Sequence, residues 1–185
     1  MIYPIVMYGD PVLKKKAEEI PVNEDIKQLV DDMFETMHFA SGVGLAAPQI
    51  GKSLRLFIVD STSMEEDKDK ALIEAFINPE IVSKTGEPWK FEEGCLSIPG
   101  IREDISREPD ITIQYYNAAW EKQERTFDGI HARIILHEYD HIEGVLFTDY
   151  ISAFKKRLLK GKLANISKGK VEADYKIKAP LAAKR

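Results

Sequence analysis

GIHARIILHEYDHIEG, running from Gly129 to Gly144, is the stretch from which the fold and chemistry of this chain are read. Asp128 and Gly129 mark a helix start, Ile130, Ile134, His137 and His141 recur at helical spacing, and Gly144 supplies a stop. Residues four apart on a helix share a face, with Cβ atoms roughly 5–6 Å apart, so the imidazoles of His137 and His141 can reach one metal ion. Glu138 points to a neighbouring face. It can stand beside such an ion without ligating it, where a carboxylate acts as a general base. The apolar residues ahead of the histidines turn the ligand face toward a core. The plainer reading is a pair of core histidines, but a buried pair without a metal needs other partners for its ring nitrogens.

Composition bounds the rest. At 185 residues and 44% hydrophobic the chain is the size of one domain with a real core. Residues 1–150 read as a metallohydrolase domain, and residues 151–185 as a basic C-terminal helix and tail of the same domain. The longest apolar runs, LFIVD and ARIIL, are far too short to cross a bilayer, and the opening MIYPIVMYGDPVLKKK has no basic leader followed by an apolar core. A cytoplasmic protein without membrane contact is expected. The single cysteine, Cys95, cannot form an internal disulfide and suits a reducing compartment, where a free thiolate can serve as a ligand.

The net charge of -5 hides an asymmetry. From Ile151 onward eleven Lys or Arg face only Glu172 and Asp174, a net +9, and fifteen basic against twenty-nine acidic residues leave -14 on the rest. A solvated charged helix and an RNA or ribosome contact both account for such a tail. DNA is not an expected partner.

From Asn23, a candidate N-cap, Ile26, Leu29, Val30, Met33, Phe34 and Met37 follow one helical face as far as Ser41-Gly42. The arm before it, Met1 to Pro21, reads as irregular, with a turn at Gly9-Asp10-Pro11. Next comes GVGLAAPQIG, Gly42 to Gly51, whose small residues permit close backbone approach. It is not a phosphate loop, because no Gly-Lys-Ser/Thr ending follows and Pro48 removes an amide donor. Gln49 is its one side chain able to donate to a substrate oxygen. Strand-like runs follow at Leu54–Asp60, Ala75–Ser83, Ile105–Arg107, Ile111–Asn117 and Lys122–Phe127. Together with the helices they define a single α+β domain with antiparallel sheets packed around the central HExxH helix. A last helix is expected over Ser152–Leu163, with Phe154, Leu158 and Leu159 turned inward.

A catalytic site of this kind takes three protein ligands and keeps a position open. Cys95, in EEGCLSIPG between strands, is the candidate for the third, its thiol set on a sharply shaped loop. Zinc peptidases share the histidine helix but take another third ligand. One pattern continues to a histidine where Phe147 stands, and no histidine follows His141. The other takes a later glutamate, but Glu143 is too near and Glu172 lies in the basic tail. A peptidase and a non-enzymatic ribosome- or RNA-binding protein remain the alternatives.

GVGLAAPQ, EGCLS and HEYDH, in this order and spacing, resemble the three signature motifs of the peptide deformylase family, enzymes that remove the formyl group from the N-terminal methionine of new bacterial polypeptides. The resemblance implies Cys95, His137 and His141 as metal ligands and Glu138 as general acid/base, with Gln49 and the Leu96 N–H stabilising the oxyanion. It places Val43, Ile130, Arg133 and Ile134 at the methionine pocket, and Gly44 and Gly94 along a groove where the substrate runs extended against a strand edge. Arginine at 133 departs from the apolar residue expected there, its stem packing while its guanidinium reaches water. Asp140 and Glu93 are candidates to orient the ligand imidazoles. The resemblance further implies Fe2+ as the metal, with Zn2+ or Ni2+ able to replace it, an N-formylmethionyl nascent chain as substrate, and a ribosome contact through the basic C-terminal helix.

Overall fold

A computed structural model of the chain describes residues 1–180. Helix α1, Lys27–Phe39, buries Val30, Met33 and Met37, as the spacing of its apolar residues requires. Its start differs from expectation. Ile26 occupies the cap position with no side-chain hydrogen bond, while Asn23 takes a left-handed conformation in a turn ahead of the helix, at φ 67°. Asparagine tolerates that region, so the residue that reads as a cap serves the turn instead.

Five strands form one antiparallel sheet in the order β2 (Gly44–Ala46), β3 (Leu56–Asp60), β4 (Ile73–Thr85), β7 (Asp110–Tyr116) and β8 (Lys122–Asp128). β7 shows the period-2 rule plainly, with Ile111, Ile113 and Tyr115 buried and their neighbours half-buried. Between β4 and β7 the chain makes a separate hairpin, β5 (Trp89–Cys95) with β6 (Ile98–Arg107), closed by Leu96 and Ser97. β5 was not expected as a strand, and β6 starts seven residues before the expected Ile105. A third pair, β1 (Ile5–Val6) with β9 (Ile177–Lys178), is parallel and draws the N-terminal arm into the core.

Helix α2, Gly129–Ile142, packs on the sheet and reaches the hairpin through the side chains of Arg133 and His137. Ala132, Ile135, Leu136 and Ile142 pack with Phe57, Phe76, Ile113 and Phe127 from the sheet. Each fully buried isoleucine or phenylalanine there contributes about 1.5–3 kcal/mol. The opposite face carries His137 toward the hairpin. Gly144 ends the helix at φ 75°, where a Cβ would meet the Lys14 carbonyl oxygen at 2.7 Å, so both conformation and space require glycine.

Helix α3, Ala153–Ser167, runs further than expected and faces differently. Ser152 caps it, its side-chain oxygen accepting from the Lys155 N–H at 3.2 Å. Phe154 and Leu158, expected inward, are 66% and 68% exposed, and only Leu159 of the three packs against the core. The helix touches the core chiefly with its second half, through Leu163 and Ile166, which join Ile5, Val6 and Met7. No helix among the described residues is long and apolar enough to cross a membrane.

Candidate active site

α2 sets the rings of His137 and His141 edge to face, with centroids 5.1 Å apart. Cys95, at the end of β5, meets them from the hairpin. The ligating atoms of Cys95, His137 and His141 all lie within 4.8 Å of one another, and Cys95 Sγ is 3.3 Å from His141 Nε2. A soft sulfur and two imidazoles at that spacing are a donor set for a first-row metal ion.

Glu93 fixes the orientation of His137. Its Oε1 lies 2.8 Å from His137 Nδ1, which leaves Nε2 as the free donor atom. Glu93 is itself held by Arg107, whose Nε and Nη2 donate at 2.9 and 3.1 Å. Burial opposes ionisation of this carboxyl, but the bonds from His137 and Arg107 outweigh it and bring it down to about 2. Arg107 also donates to Asp140 at 2.7 Å, and the Tyr150 hydroxyl donates to the same oxygen at 2.8 Å. Of the two carboxylates expected to orient imidazoles, Glu93 therefore touches one. Asp140 instead anchors Arg107.

Burial, then the positive charges of His137 and Arg107, push His141 well below the ordinary histidine range, which keeps its imidazole in the neutral form that ligates. His137 moves the other way. Burial opposes its protonation, and the neighbouring Cys95 and Glu93 overcome that. A thiol and two imidazoles whose ligating atoms lie within 4.8 Å of one another are a donor set that fits a metal.

Glu138 is buried, and its Oε2 has no hydrogen-bond partner among the described residues. Burial pushes its pKa up to about 7, the charges of His137 and Arg107 only partly offsetting this. Gly44 makes room for it: a methyl group on Gly44 would sit 2.5 Å from Glu138 Oε1. Gln49 is fully buried in the short 3-10 turn Ala47–Ile50, and its Oε1 accepts from the Ala46 N–H at 2.9 Å. That bond fixes the amide so that its NH2 group turns to the site, 3.5 Å from Cys95 Sγ and 3.2 Å from Ser97 Oγ.

These groups share a cavity of about 520 Å³. Of the residues selected from sequence, all but His141 and Asp140 contribute to its wall, and both of those are buried. Arg133 departs from expectation in one respect. It is 3% exposed, and its guanidinium, instead of reaching water, donates to Ile105 O at 2.8 Å, Trp89 O at 2.6 Å and Glu93 Oε2 at 3.3 Å. A two-stranded hairpin leaves carbonyls unpaired along its edges, and Arg133 satisfies two of them while stacking 4.6 Å from the Trp89 ring centroid. Sequence reading missed Arg107, Ser97, Tyr150 and Tyr175. For Arg107 a signal existed, since it shares the strand register of the buried Ile101 and Ile105.

A thiol and two imidazoles, with a buried carboxylate beside them and an open apolar cavity in front, define a metal-dependent hydrolase of α+β build. Comparison with known proteins narrows the class. The sequence profile described as polypeptide deformylase matches residues 2–157. A peptide deformylase of Christiangramia forsetii is 53% identical, the match covering 100% of this chain and 99% of the relative. One from Cytophaga hutchinsonii is also 53% identical, over 98% and 99%. Among solved structures, a peptide deformylase from Legionella pneumophila superposes with TM-score 0.80 at 37% identity, covering 92% of this chain and 98% of that one. The chain belongs to the polypeptide deformylase family. Its function is accordingly deformylation, and the metal dependence of the family is matched here by a candidate metal site.

Proposed function

We propose that the chain hydrolyses the formyl group from N-formylmethionyl peptides with Glu138 as the acid/base and Cys95, His137 and His141 as metal ligands. The observation that carries this is the buried Glu138 carboxylate set beside the three donor atoms and facing the cavity. A divalent ion held there supplies Lewis acidity, lowering the pKa of water and polarising the carbonyl. Fe2+ is the proposed ion, with Zn2+ or Ni2+ as substitutes, since a thiolate with two imidazoles suits all three.

Glu138 takes a proton from the water that attacks the formyl carbon. The oxyanion so formed accepts hydrogen bonds from Gln49 Nε2 and the Leu96 N–H, and each such donor is worth about a hundredfold to a thousandfold in rate. Glu138 then passes its proton to the departing amine as the C–N bond breaks, leaving formate and a free N-terminus. Val43, Ile130 and Ile134 offer an apolar wall for the methionine side chain, with Arg133 closing it from the hairpin side. Gly44 and Gly94 line the cavity along which an extended substrate would run.

The cytoplasm is the proposed site of action, where nascent chains carry the formyl group. The exposed Lys155, Lys156, Arg157 and Lys160 of α3 support a contact with ribosomal RNA that salt would weaken. Lys184 and Arg185 of the same basic segment lie outside the described residues.

Formate release from a formyl-Met-peptide, measured anaerobically with metal analysis of the same sample, tests the reading. Glu138→Gln is expected to keep its metal and lose nearly all turnover, and Cys95→Ser to lose or exchange its metal. Full turnover in the first variant would refute the role of Glu138. Internal cleavage of unformylated peptides would favour a peptidase.

A further inference from the structure

Met64 lines the cavity, yet the reaction as derived makes no use of it. It is 40% exposed, so it stands at the mouth and not in the interior. It is also the single apolar residue in the polar run from Thr62 to Lys70, and it joins neither of the two apolar core clusters. Packing of the fold therefore does not account for an apolar side chain at this place.

The loop that carries it, between β3 and β4, is firmly held. Ser61, fully buried, closes its base: the Ser61 N–H donates to Leu72 O and the Leu72 N–H to Ser61 Oγ, both at 2.9 Å, and the Met64 N–H donates to Ser61 O at 2.8 Å. Three elements around the cavity add anchors. His38, in the last turn of α1, has Nε2 2.8 Å from Asp60 Oδ2, while Asp60 Oδ1 accepts from the Thr62 N–H at 3.0 Å. The Asp60 N–H donates to Val43 O at 2.9 Å, beside β2. His131, in the first turn of α2, has Nε2 2.8 Å from Glu65 Oε1 and 3.1 Å from Ser61 Oγ. Val43 carries one of these anchors and Ile130 adjoins another, and both line the cavity where the methionine side chain is placed. Met64 thus continues the same wall outward to the rim.

In an extended peptide successive side chains alternate, so the first and third lie on one face, about 6.5–7 Å apart. With the first side chain inside the pocket, the third passes over its rim. We propose that Met64 determines specificity at the third residue of the substrate: pinned at the cavity mouth by the contact of Glu65 with His131, it packs against an apolar third side chain. The inference rests on the reading of the cavity as the site of an extended formyl-Met-peptide.

Steady-state formate release by the full metal-loaded chain tests it on formyl-Met-Ala-Leu, formyl-Met-Ala-Ser and the permuted formyl-Met-Leu-Ser. Partial burial of a methionine against a leucine predicts a KM about three- to tenfold lower for leucine than for serine at the third place, with kcat within about twofold, because the contact serves ground and transition states alike. Met64→Ala is expected to abolish that preference. Met64→Glu is expected to replace it with a preference for lysine over leucine. Glu65→Ala, which frees the loop from His131, is expected to weaken it. Each preference is a ratio of KM values within one preparation, so a partly unfolded sample does not alter it.

A wild type without the leucine preference overturns the proposal, as does a Met64→Ala protein that keeps it. A loss of affinity in Met64→Ala that follows leucine at the second place sets Met64 against another residue of the peptide and overturns the assignment to the third. An unchanged preference in Glu65→Ala overturns the pinning by His131. A wild type that releases no formate from any of the peptides refutes the deformylase reading itself, an outcome distinct from an active enzyme indifferent to its third residue.

Discussion

Gly44→Ala tests how tightly Glu138, the proposed general base, is placed. Gly44 begins β2 opposite Val59, is buried, and does not have a positive φ, so alanine adds no backbone strain. The added methyl would stand 2.5 Å from Glu138 Oε1 and 2.8 Å from its Cδ and Cγ, where ordinary contact begins at 3.4 Å, so the carboxylate must retreat by about 0.9 Å. α2 is packed on the sheet through Ala132, Ile135, Leu136 and Ile142, so the side chain is expected to give way before the helix. A misplacement of about 1 Å costs on the order of a hundredfold in rate, equivalent to about 2.7 kcal/mol of barrier. The strand is expected to absorb a further 1–3 kcal/mol, roughly, of overpacking as lost stability. Steady-state formate release at matched metal content is the assay. The proposed ligands are untouched, so metal content should equal that of the wild type. A kcat within about threefold of wild type at equal metal would refute the reasoning. Loss of metal would show that the helix moves, and would refute it differently.

Two other perturbations probe the supports. Arg107→Met preserves volume but strands Glu93 and Asp140, and breaking a buried pair of this kind costs about 3–5 kcal/mol, read as a lower urea midpoint with unchanged slope; an unmoved midpoint would contradict it. Asp60 titrates below its ordinary 3.8, since bonds to Thr62 and His38 outweigh the opposing effect of burial. Its ionised form therefore stabilises the fold above that ordinary value, and the contribution disappears as pH falls through the lower folded value. Asp60→Asn, which keeps an acceptor for the Thr62 N–H, should lose less stability than wild type between about pH 6 and about pH 3, and equal losses would exclude the effect.

Much of the candidate site was legible because its donor groups are concentrated in short strings that the structure brings together. His137 and His141 needed only helical spacing, and Cys95 needed only the missing third ligand. β5 escaped because WKFEEGC alternates exposed and half-buried residues over one inward position, so its polar character reads as loop. The orientation of α3 escaped because apolar and basic residues are interleaved around it, and nothing in Phe154 or Leu158 reveals which half of the helix meets the core. Arg133 was misplaced for a different reason. Sequence shows a long cation and suggests water, whereas the unpaired carbonyls that draw it inward belong to residues 44 and 28 positions away. Tyr175 carried no motif at all, since its partner is a main-chain oxygen.

The pairing of β1 with β9 also sets an order of assembly. Ile5 lies opposite Ile177, so the strand made first waits for the strand made last, and pairings this distant form slowly. Until then Ile5, Val6 and Met7, all fully buried in the finished molecule, have lost one side of their shelter. A chain still emerging from its own synthesis, complete to Asp149, already holds Cys95, His137, Glu138 and His141. It lacks Tyr175, whose hydroxyl donates to the Leu96 carbonyl in the turn between β5 and β6. In the growing chain the candidate metal donors are therefore present early, while the pairing that shelters Ile5, Val6 and Met7 waits for β9.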